Sequence, residues 1–287
     1  KFPGKIFSTP AVKGKYLVFG CTDGNIYALN ARNGKTIWKY SARKSVLGSP
    51  VIFDDKVYVG ASDGCFRALG LKTGKAVWTY SDVQGFIECR AYVDKEQVVF
   101  GSWGNRLYSL DPQTGALQWE WKCEKPSRMY SPAAVWPVKA CGKIFIAVPD
   151  RRLYALDAAT GKELRHYEKS AREAVGVSPD GKKVYCKSMW HTITSVDATS
   201  LEVDWRAETG AGYEISPTSI VRIGDEVIMP TDKGNIIGFD ARDGRRLWAR
   251  KISIALVNPM EVWSEGTDTY ILASTMDGTV TLLRNNS

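Results

Sequence analysis

The sequence predicts an all-β fold, a seven-bladed β-propeller of four-stranded antiparallel blades. The first observation is the unit Gly-Asn-Ile-Tyr-Ala-Leu-Asn-Ala-Arg-Asn-Gly-Lys-Thr-Ile-Trp-Lys-Tyr at 24–40, which recurs along the chain of 287 residues. The second is its spacing, and the third is a series of short apolar runs separated by tight turns. Repeats of about 40–45 residues with four strands are typical of propeller blades. Further copies, the last one partial, occupy Gly64–Tyr80, Gly104–Trp121, Arg152–Tyr167, His191–Ala207, Gly234–Arg250 and the chain from Gly278.

The tryptophan near the end of each copy measures the repeat. Neighbouring tryptophans are 40, 41 and 43 residues apart in the pairs Trp38 and Trp78, Trp78 and Trp119, and Trp205 and Trp248. The fourth copy has Arg165 at this position, and the longer interval before it predicts a short insertion near 122–137. In the fifth copy, Leu201 replaces the glycine of the last hairpin, but Trp205 keeps the period. Both copies are therefore still predicted to form blades.

The first copy shows the first two strands of a blade. Short apolar runs at 8–12 and 16–20 predict these strands, and the turn Lys13-Gly14-Lys15 joins them. The tight turn Thr22-Asp23-Gly24-Asn25 then leads into the third strand, because the glycine of an Asp-Gly pair adopts positive φ without steric cost. These signals predict a meander of adjacent antiparallel strands.

The third and fourth strands of the first copy are predicted at 25–29 and 36–40. The hairpin at 30–34 joins them, and its Asn30 side chain can accept bonds from backbone N–H groups two residues on. The third strand is apolar on both faces, since Ile26 and Ala28 alternate with Tyr27 and Leu29. This pattern predicts a small sheet that is covered on both sides by its neighbours.

The continuous repeat predicts one domain over residues 1–287, which we expect to be part of a longer chain. The seventh copy stops before its fourth strand, and an unpaired strand edge is costly. We therefore predict that residues 1–7 complete the last blade. The predicted blades span approximately 8–41, 48–81, 87–121, 130–168, 174–207, 214–250, and 256–284 together with 1–7.

Composition argues against several classes of function. The net charge is +8, from 39 Lys and Arg against 31 Asp and Glu, but the basic residues are scattered, so we expect a solvated surface and no nucleic-acid interface. No apolar run of about 18 residues occurs, so we expect no direct membrane insertion.

His166 and His191 are the only histidines, which leaves a Ser-His-Asp arrangement little choice of base. No phosphate-binding glycine motif occurs.

The six cysteines form no Cys-x-x-Cys pair and fall at different points of different repeats. Each is interpreted as a small buried apolar residue, with a disulfide as the alternative. The cysteines are Cys21, Cys65, Cys89, Cys123, Cys141 and Cys186.

The repeat pattern Gly-x-Ile/Leu-Tyr-Ala-Leu-Asp/Asn-x-x-Thr/Asn-Gly-Lys-x-x-Trp resembles that of the pyrroloquinoline-quinone-like β-propellers. It is present in Gly24–Trp38 and, for its first part, in Arg152–Lys162, and the resemblance covers nearly the whole chain. The resemblance implies that the repeated tryptophan packs between adjacent blades. Burial of such a side chain contributes about 2–3 kcal/mol, so its loss should cost stability. The expected docking residues are Trp38, Trp78, Trp119, Trp205 and Trp248.

The same family includes quinone-dependent dehydrogenases, from which this sequence departs. Those enzymes resemble a larger, usually eight-bladed ring with a calcium ion held by carboxylate and amide ligands, an Asp base and often a disulfide of adjacent cysteines. This chain has no adjacent cysteine pair, and its acidic residues lie mostly in hairpin turns that cannot converge on one metal. We therefore predict no cofactor, neither pyrroloquinoline quinone nor calcium, no metal site and no catalytic residue.

Other members of the family are not enzymes, among them a propeller lipoprotein of the outer-membrane protein assembly machinery and sensor modules. The resemblance thus predicts a non-catalytic interaction or sensing module in the bacterial periplasm or cell envelope, with the cytoplasm as the alternative. We expect a monomeric domain that binds a protein or peptide partner, or a small anionic ligand. A quinone-dependent dehydrogenase and a scaffold subunit of an envelope assembly complex remain the alternatives.

Candidate binding residues lie where the loops on one face of a propeller break the repeat. Most first strands open with Ser-Pro or a close variant, whereas the third copy opens with Glu88-Cys89-Arg90. The Asp-Gly turn is replaced by Trp103, by Arg151-Arg152 and by Met189-Trp190-His191 in the third, fourth and fifth copies. Such residues suit an acidic or aromatic peptide or an anionic small molecule, and solvated drift of the repeat is the alternative. The predicted binding residues are Glu88, Arg90, Trp103, Arg128, Tyr130, Arg151, Trp190 and His191.

Overall fold

A computed structural model describes residues 1–123, 136–148, 152–168, 175–214, 218, 220–266 and 268–286. The described residues form seven consecutive antiparallel sheets and no helix. The chain divides into two compact units. Unit 1 comprises Lys1–Pro137 with Ala159–Lys162, and unit 2 comprises Val138–Ala158 with Glu163–Ser287.

Unit 1 contains sheets 1 to 3, each a meander of four strands. Strands that follow each other in the chain are neighbours in the sheet, as the tight turns predict. Sheet 1 consists of β1 (Ala11–Lys13), β2 (Tyr16–Gly20), β3 (Asn25–Asn30) and β4 (Thr36–Ser41). Sheet 2 consists of β5 (Val51–Phe53), β6 (Lys56–Gly60), β7 (Phe66–Gly70) and β8 (Ala76–Tyr80). Sheet 3 consists of β9 (Tyr92–Val93), β10 (Val98–Ser102), β11 (Arg106–Leu110) and β12 (Leu117–Lys122).

Unit 2 contains sheets 4 to 7. Sheet 4 consists of β13 (Val138–Ala140), β14 (Lys143–Val148), β15 (Arg152–Asp157) and β16 (Glu163–Tyr167), and sheet 5 of β17 (Val175–Val177), β18 (Lys183–Lys187), β19 (Trp190–Asp197) and β20 (Val203–Tyr213). Sheet 6 consists of β21 (Val221–Ile223), β22 (Glu226–Pro230), β23 (Asn235–Asp240) and β24 (Arg246–Lys251). Sheet 7 has three strands, β25 (Glu261–Glu265), β26 (Asp268–Ser274) and β27 (Val280–Asn286).

The burial of the strands follows from their place in the sheet. The side chains of Ile26, Tyr27 and Ala28 in β3 are all buried, so both faces of this strand are covered, as its apolar pattern predicts. In β4 only Trp38 is buried, because the fourth strand is the outermost of its sheet. The Asn30 side chain accepts a hydrogen bond from Arg32 N at 2.9 Å and so forms the predicted turn. Local turn chemistry therefore fixes the meander.

In unit 1, the repeated tryptophan lies against the last hairpin of the following sheet. The Trp38 indole N–H donates to Leu71 O at 2.7 Å, and a Cβ on Gly74 would lie only 2.6 Å from the same ring. Gly74 also has a φ of +67°, so two independent constraints favour glycine there. Trp78 meets Gly115 in the same way, and Trp119 meets Gly161.

Unit 2 shows both the same arrangement and an exception. The Trp205 indole N–H donates to Ala241 O at 3.0 Å, and a Cβ on Gly244 would lie 2.4 Å from the ring. The Trp248 indole N–H instead donates to Glu226 Oε2 of its own sheet at 2.8 Å, and the ring is only partly buried. Trp248 thus differs from the other four, whose rings each lie against a glycine of the following hairpin.

The prediction that residues 1–7 supply a fourth strand to the last blade is wrong. These residues form no strand, and they lie against sheet 1. The Phe2 ring contacts the rings of Phe19 and Tyr27 at centroid distances of 5.0 and 4.8 Å, and Thr22 N donates to Lys5 O at 2.9 Å. Burial of this aromatic ring and a local backbone hydrogen bond hold the segment at the first sheet.

All six cysteines are free. Cys21, Cys89, Cys123 and Cys186 are buried, as interpreted from the sequence. The interpretation fails for Cys65, which is half-buried, and for Cys141, which is exposed in the turn between β13 and β14.

Candidate functional site

The candidate site in unit 1 is an aromatic surface formed by Phe86, Glu88 and Trp103, which we call the Trp103 surface. The Trp103 indole N–H donates to Glu88 Oε2 at 2.8 Å. The same ring stacks on Phe86 with centroids 5.0 Å apart and an interplanar angle of 22°. Trp103 and Phe86 nevertheless remain 37% and 38% exposed. Two partners therefore hold a large indole in one orientation while leaving much of it open to solvent.

The backbone around Trp103 is fixed as firmly as its side chain. Trp103 N donates to Phe86 O at 3.0 Å, and Ser102 Oγ donates to Gln84 O at 2.7 Å. A Cβ on Gly104 would lie 2.2 Å from Gln84 O, so only glycine permits this close approach of the turn after β10 to the segment before β9. The Trp103 surface is consequently preorganised, which lowers the entropic cost of binding a partner.

Arg90 lies next to the Trp103 surface along the chain but has a different neighbour. Its guanidinium carbon lies 5.7 Å from the centroid of the Trp136 ring, a cation–π geometry, and its side chain is exposed. Glu88 and Trp103 are therefore in direct contact, whereas Arg90 contacts an aromatic residue that the sequence analysis did not select.

Cys89, between Glu88 and Arg90, is a structural residue. Gly101 N donates to its sulfur at 3.3 Å, and the thiol donates to Gly101 O at 3.4 Å. In sheet 1, the Ser8 hydroxyl makes the equivalent pair of bonds to Gly20 at 2.9 and 3.1 Å. Burial raises the pKa of Cys89 to about 12, so the thiol stays protonated at neutral pH. The Cys89 thiol thus makes the pair of hydrogen bonds that the Ser8 hydroxyl makes in the first copy.

The candidate residues in unit 2 lie on a long β-hairpin. Strands β19 and β20 have 8 and 11 residues, and Trp190 at the start of β19 is the register partner of Tyr213 at the end of β20. Their rings are in edge contact at 5.0 Å, and they are 54% and 44% exposed. His191 is also exposed and has a φ of +67°, a conformation that histidine adopts more readily than most residues.

A buried ion pair supports the base of this hairpin. Lys187 and Glu214 are each almost fully buried, with Lys187 Nζ 3.4 Å from Glu214 Oε1. Lys187 Nζ also donates to Pro230 O at 3.0 Å, while Asp232 N donates to both carboxylate oxygens of Glu214 at 2.9 and 3.0 Å. These bonds satisfy both charges and fix the end of β20 against sheet 6.

The remaining candidates, Arg128, Tyr130 and Arg151, lie outside the described residues, as does the predicted excursion at 125–128. Sequence reasoning missed Phe86, Trp136, Tyr213 and the pair Lys187 and Glu214. Phe86 is an exposed aromatic residue in the segment before β9, and Tyr213 is an exposed aromatic residue at the end of β20; both contact residues that the breaks in the repeat selected. No sequence signal marks Lys187 and Glu214, because their pairing joins residues 27 positions apart.

Among the residues that the structure describes, no group of three or more His, Cys, Asp or Glu side chains is placed to hold a metal ion. A calcium ion requires about six to eight oxygen ligands. Within the same parts of the chain, no helix is long and apolar enough to cross a membrane.

Several solved structures resemble this chain along nearly its whole length. BamB from Moraxella catarrhalis is 18% identical, with a TM-score of 0.72 over 98% of this chain and 85% of that one. The computationally designed protein Ika8 is 15% identical, with a TM-score of 0.80 over 96% and 82%. Sqt1 from Saccharomyces cerevisiae is 11% identical, with a TM-score of 0.79 over 96% and 82%. With the seven consecutive sheets, this likeness confirms the predicted seven-bladed β-propeller fold.

No curated protein matches the chain. The family model described as outer membrane protein assembly factor BamB matches residues 3–130 and 128–269. These two matches cover almost the whole repeat and confirm the resemblance to quinoprotein-like propellers. The chain therefore belongs to the outer membrane protein assembly factor BamB family.

Proposed function

We propose that this chain is a non-catalytic protein-interaction subunit of the bacterial cell envelope that serves outer-membrane protein assembly. Membership of the BamB family supports a role in outer-membrane protein assembly and a location in the cell envelope. The Trp103 surface supports the mode of action, since it offers an interface and no nucleophile. We propose that a partner protein binds there, with Arg90 as a neighbouring cationic contact.

The observation that carries this proposal is the restrained exposure of Trp103. The buried Trp38, Trp78 and Trp205 donate to backbone carbonyl groups, whereas Trp103 donates to a carboxylate and stacks on an exposed phenylalanine. Tryptophan, tyrosine and arginine dominate binding energy at protein interfaces, above all where a rigid aromatic ring is presented in advance. A hydrophobic partner group over the Trp103 ring would be flanked by Glu88 and Arg90, which favour a polar rim of mixed charge.

Site-specific photocrosslinking tests the proposal in the envelope. A photoreactive phenylalanine at position 103 is expected to give a discrete adduct with one protein. Val77, which is exposed on β8 of the same unit, is the matched control position. An adduct of equal yield at both positions, or none at position 103, would contradict a binding surface at Trp103.

A functional assay complements the crosslink. In cells that depend on this chain, Trp103→Ala is expected to lower the amount of folded outer-membrane protein, whereas Val77→Ala leaves it unchanged. The two variants must accumulate to the same level, because both side chains are exposed and should contribute little to stability. Unchanged outer-membrane protein levels with Trp103→Ala would remove Trp103 from the proposed function.

A quinone-dependent dehydrogenase is the alternative, and we propose that the chain uses no such cofactor. Addition of pyrroloquinoline quinone with calcium to the purified chain should give neither a bound chromophore nor dye reduction. A stoichiometric chromophore that survives gel filtration would reverse this assignment. The described residues supply no cluster of metal ligands to favour that outcome.

A further inference from the structure

The end of the long hairpin β19–β20 is an exposed aromatic surface with two cations beside it. The rings of Trp190 and Tyr213 are in edge contact, and both are exposed. Lys233 Nζ donates to the backbone carbonyl oxygens of Ala211 and Tyr213 at 3.0 and 2.7 Å. Lys251 Nζ in turn donates to Lys233 O at 2.7 Å. We call the side chains of Trp190, Tyr213, Lys233 and Lys251 the Trp190 surface.

The turn that carries Lys233 is fixed on both sides. Asp232 N donates to both carboxylate oxygens of Glu214, so the buried ion pair at the base of the hairpin also positions the residue before Lys233. A Cβ on Gly234 would lie 2.2 Å from Ser253 O, so the turn is packed closely against the segment after β24. These contacts keep the ammonium group of Lys233 next to the aromatic pair.

The two ammonium groups of this surface are held by backbone atoms and not by anions. Lys183, in the same unit, lies 2.9 and 2.8 Å from the carboxylate oxygens of Asp197 and Asp204. Lys233 and Lys251, by contrast, form no salt bridge with any carboxylate of the described residues, and both are exposed. Two positive charges that are fixed in place without a counter-charge attract an anionic group.

We propose that the Trp190 surface is a docking site for an extended acidic segment of a partner protein. An apolar side chain of the segment packs on the rings of Trp190 and Tyr213, and its carboxylates lie beside Lys233 and Lys251. Because the Lys233 ammonium group bonds the carbonyl oxygen of Tyr213 itself, neighbouring residues of one segment can reach both the rings and the charge. This surface belongs to unit 2, is separate from the Trp103 surface and goes beyond the proposed function.

The side chains of the surface suit a peptide segment better than a small anion or a second copy of the chain. A lysine ammonium group has three donors, of which Lys233 uses two and Lys251 one, so each can still bond a carboxylate. A small anion would occupy these donors and leave the exposed rings without a contact, although tryptophan and tyrosine are typical interface anchors. A second copy is disfavoured by the net charge of +8.

Isothermal titration calorimetry with an acidic peptide tests the proposal on the purified chain. The probe is Ser-Asp-Phe-Glu-Asp-Phe-Glu-Ser with blocked termini, and it should bind saturably. Replacement of both phenylalanines by alanine should weaken binding at least about tenfold, the loss expected for an interface hot spot. Replacement of the acidic residues by their amides should weaken it at least about fivefold, and added salt should weaken binding of the acidic form.

Variants of the chain separate the charge and the ring from the structure. Lys233→Gln keeps a donor for the carbonyl groups but loses the charge, and it should weaken binding about two- to fivefold, whereas Lys233→Arg retains it. Trp190→Ala should weaken binding at least about tenfold. The matched controls are Lys182→Gln, at an exposed lysine in the turn before β18, and Leu164→Ala, at a side chain that is as exposed as Tyr213. Both controls should bind like the wild type, and thermal denaturation should show all four variants folded.

Four results would overturn the proposal. These are absence of saturable binding, equal affinity for the amide form of the peptide, and undiminished binding by Trp190→Ala or by Lys233→Gln. Vesicles of phosphatidylglycerol and phosphatidylethanolamine should not sediment the chain. Sedimentation with vesicles that Lys233→Gln abolishes would assign the surface to anionic lipid and so contradict a protein segment. Since Trp103→Ala should bind the peptide like the wild type, failure here and failure at the Trp103 surface are distinguishable.

Discussion

Trp78 and Trp103 belong to the same unit and are 25 positions apart, yet they serve opposite purposes. Trp78 is 9% exposed, donates to Pro112 O at 3.1 Å and covers Gly115. Trp103 is 37% exposed, and its indole bonds the Glu88 carboxylate. Each indole has a hydrogen-bond acceptor and an apolar neighbour. The difference is what lies beyond the ring, another sheet for Trp78 and solvent for Trp103.

This contrast teaches how a repeat with many tryptophans can still carry a specific surface. Trp38, Trp78 and Trp205 obey the period and donate to backbone carbonyl groups of the following hairpin, whereas Trp248 obeys the period but donates to Glu226 of its own sheet. A tryptophan outside the period needs its own side-chain partners, and Glu88 and Phe86 provide them. The position of a tryptophan within the repeat therefore separates structural residues from binding candidates better than its burial alone.

The largest expected effect is that of Trp78→Ala on stability. The variant removes a buried ring that contacts Tyr58 and Phe66 and leaves a cavity over Gly115, so the free energy of unfolding should fall by about 3–5 kcal/mol. Urea denaturation followed by circular dichroism measures this change. A loss as small as that of Trp103→Ala would contradict the distinction between the two residues.

The pairing of glycine with tryptophan can be tested by introducing it at Arg165 and Leu201, the one described place where both residues of the pair are replaced. Arg165→Trp and Leu201→Gly should each destabilise unit 2, the first by steric conflict with Leu201 and the second by opening an unfilled cleft. Their combination should recover stability, with a coupling energy of about 1–3 kcal/mol in a double-mutant cycle from denaturation curves. Simple additivity would show that the indole and the glycine are independent.

Trp103→Ala should separate binding from stability. Since Trp103 is a partly exposed surface residue, the free energy of unfolding should change by about 0.5–1 kcal/mol or less. Affinity for the protein crosslinked at position 103 should fall at least about tenfold, as for an interface hot spot.

Glu88→Gln, which keeps an acceptor for the indole N–H, should bind more tightly than Trp103→Ala. The reverse order, measured by surface plasmon resonance, would place the binding energy on the carboxylate charge.

The smallest expected effect is that of the hairpin residue Asp197 on the pH dependence of stability. The backbone N–H of Ser200 and the Lys183 ammonium group hold the pKa of Asp197 well below its ordinary value near 3.8. Because the folded state favours the carboxylate, Asp197 contributes stability above about pH 4 and loses this contribution as the pH falls further. Asp197→Asn should therefore flatten the fall in thermal stability between pH 5 and 2.5, by about 1 kcal/mol or less. An unchanged pH profile would show that the carboxylate charge is unimportant.

The fold was predictable because the signals that specify it are local and recur. Asp-Gly turns, Asx hairpins and apolar strands each act over a few residues, and Trp38, Trp78, Trp119 and Trp205 each make the same contact with a hairpin glycine. The position of residues 1–7 was not predictable from the period, because aromatic contacts with Phe19 and Tyr27 hold Phe2 against sheet 1. Those contacts have no counterpart in the repeat.

The candidate site was predictable in part. Breaks in the repeat located Glu88 and Trp103, whose contact requires only that two neighbouring loops of one sheet meet. Cys89 shows the limit of this criterion, since it lies within the segment that breaks the repeat but makes the same hydrogen bonds as Ser8. Lys187 and Glu214 lie in ordinary strand and loop positions, and only their distance in space reveals the ion pair.

The close approach of hairpin glycine and indole also restricts how the chain can change over generations. A side chain added at Gly244 alone would strike the Trp205 ring, and loss of Trp205 alone would leave a hole. Either substitution alone would destabilise the fold. Leu201 in place of the glycine and Arg165 in place of the tryptophan are an example of a paired substitution. In a propeller built in this way, the hairpin glycine of one sheet and the tryptophan of the preceding sheet are therefore expected to change together.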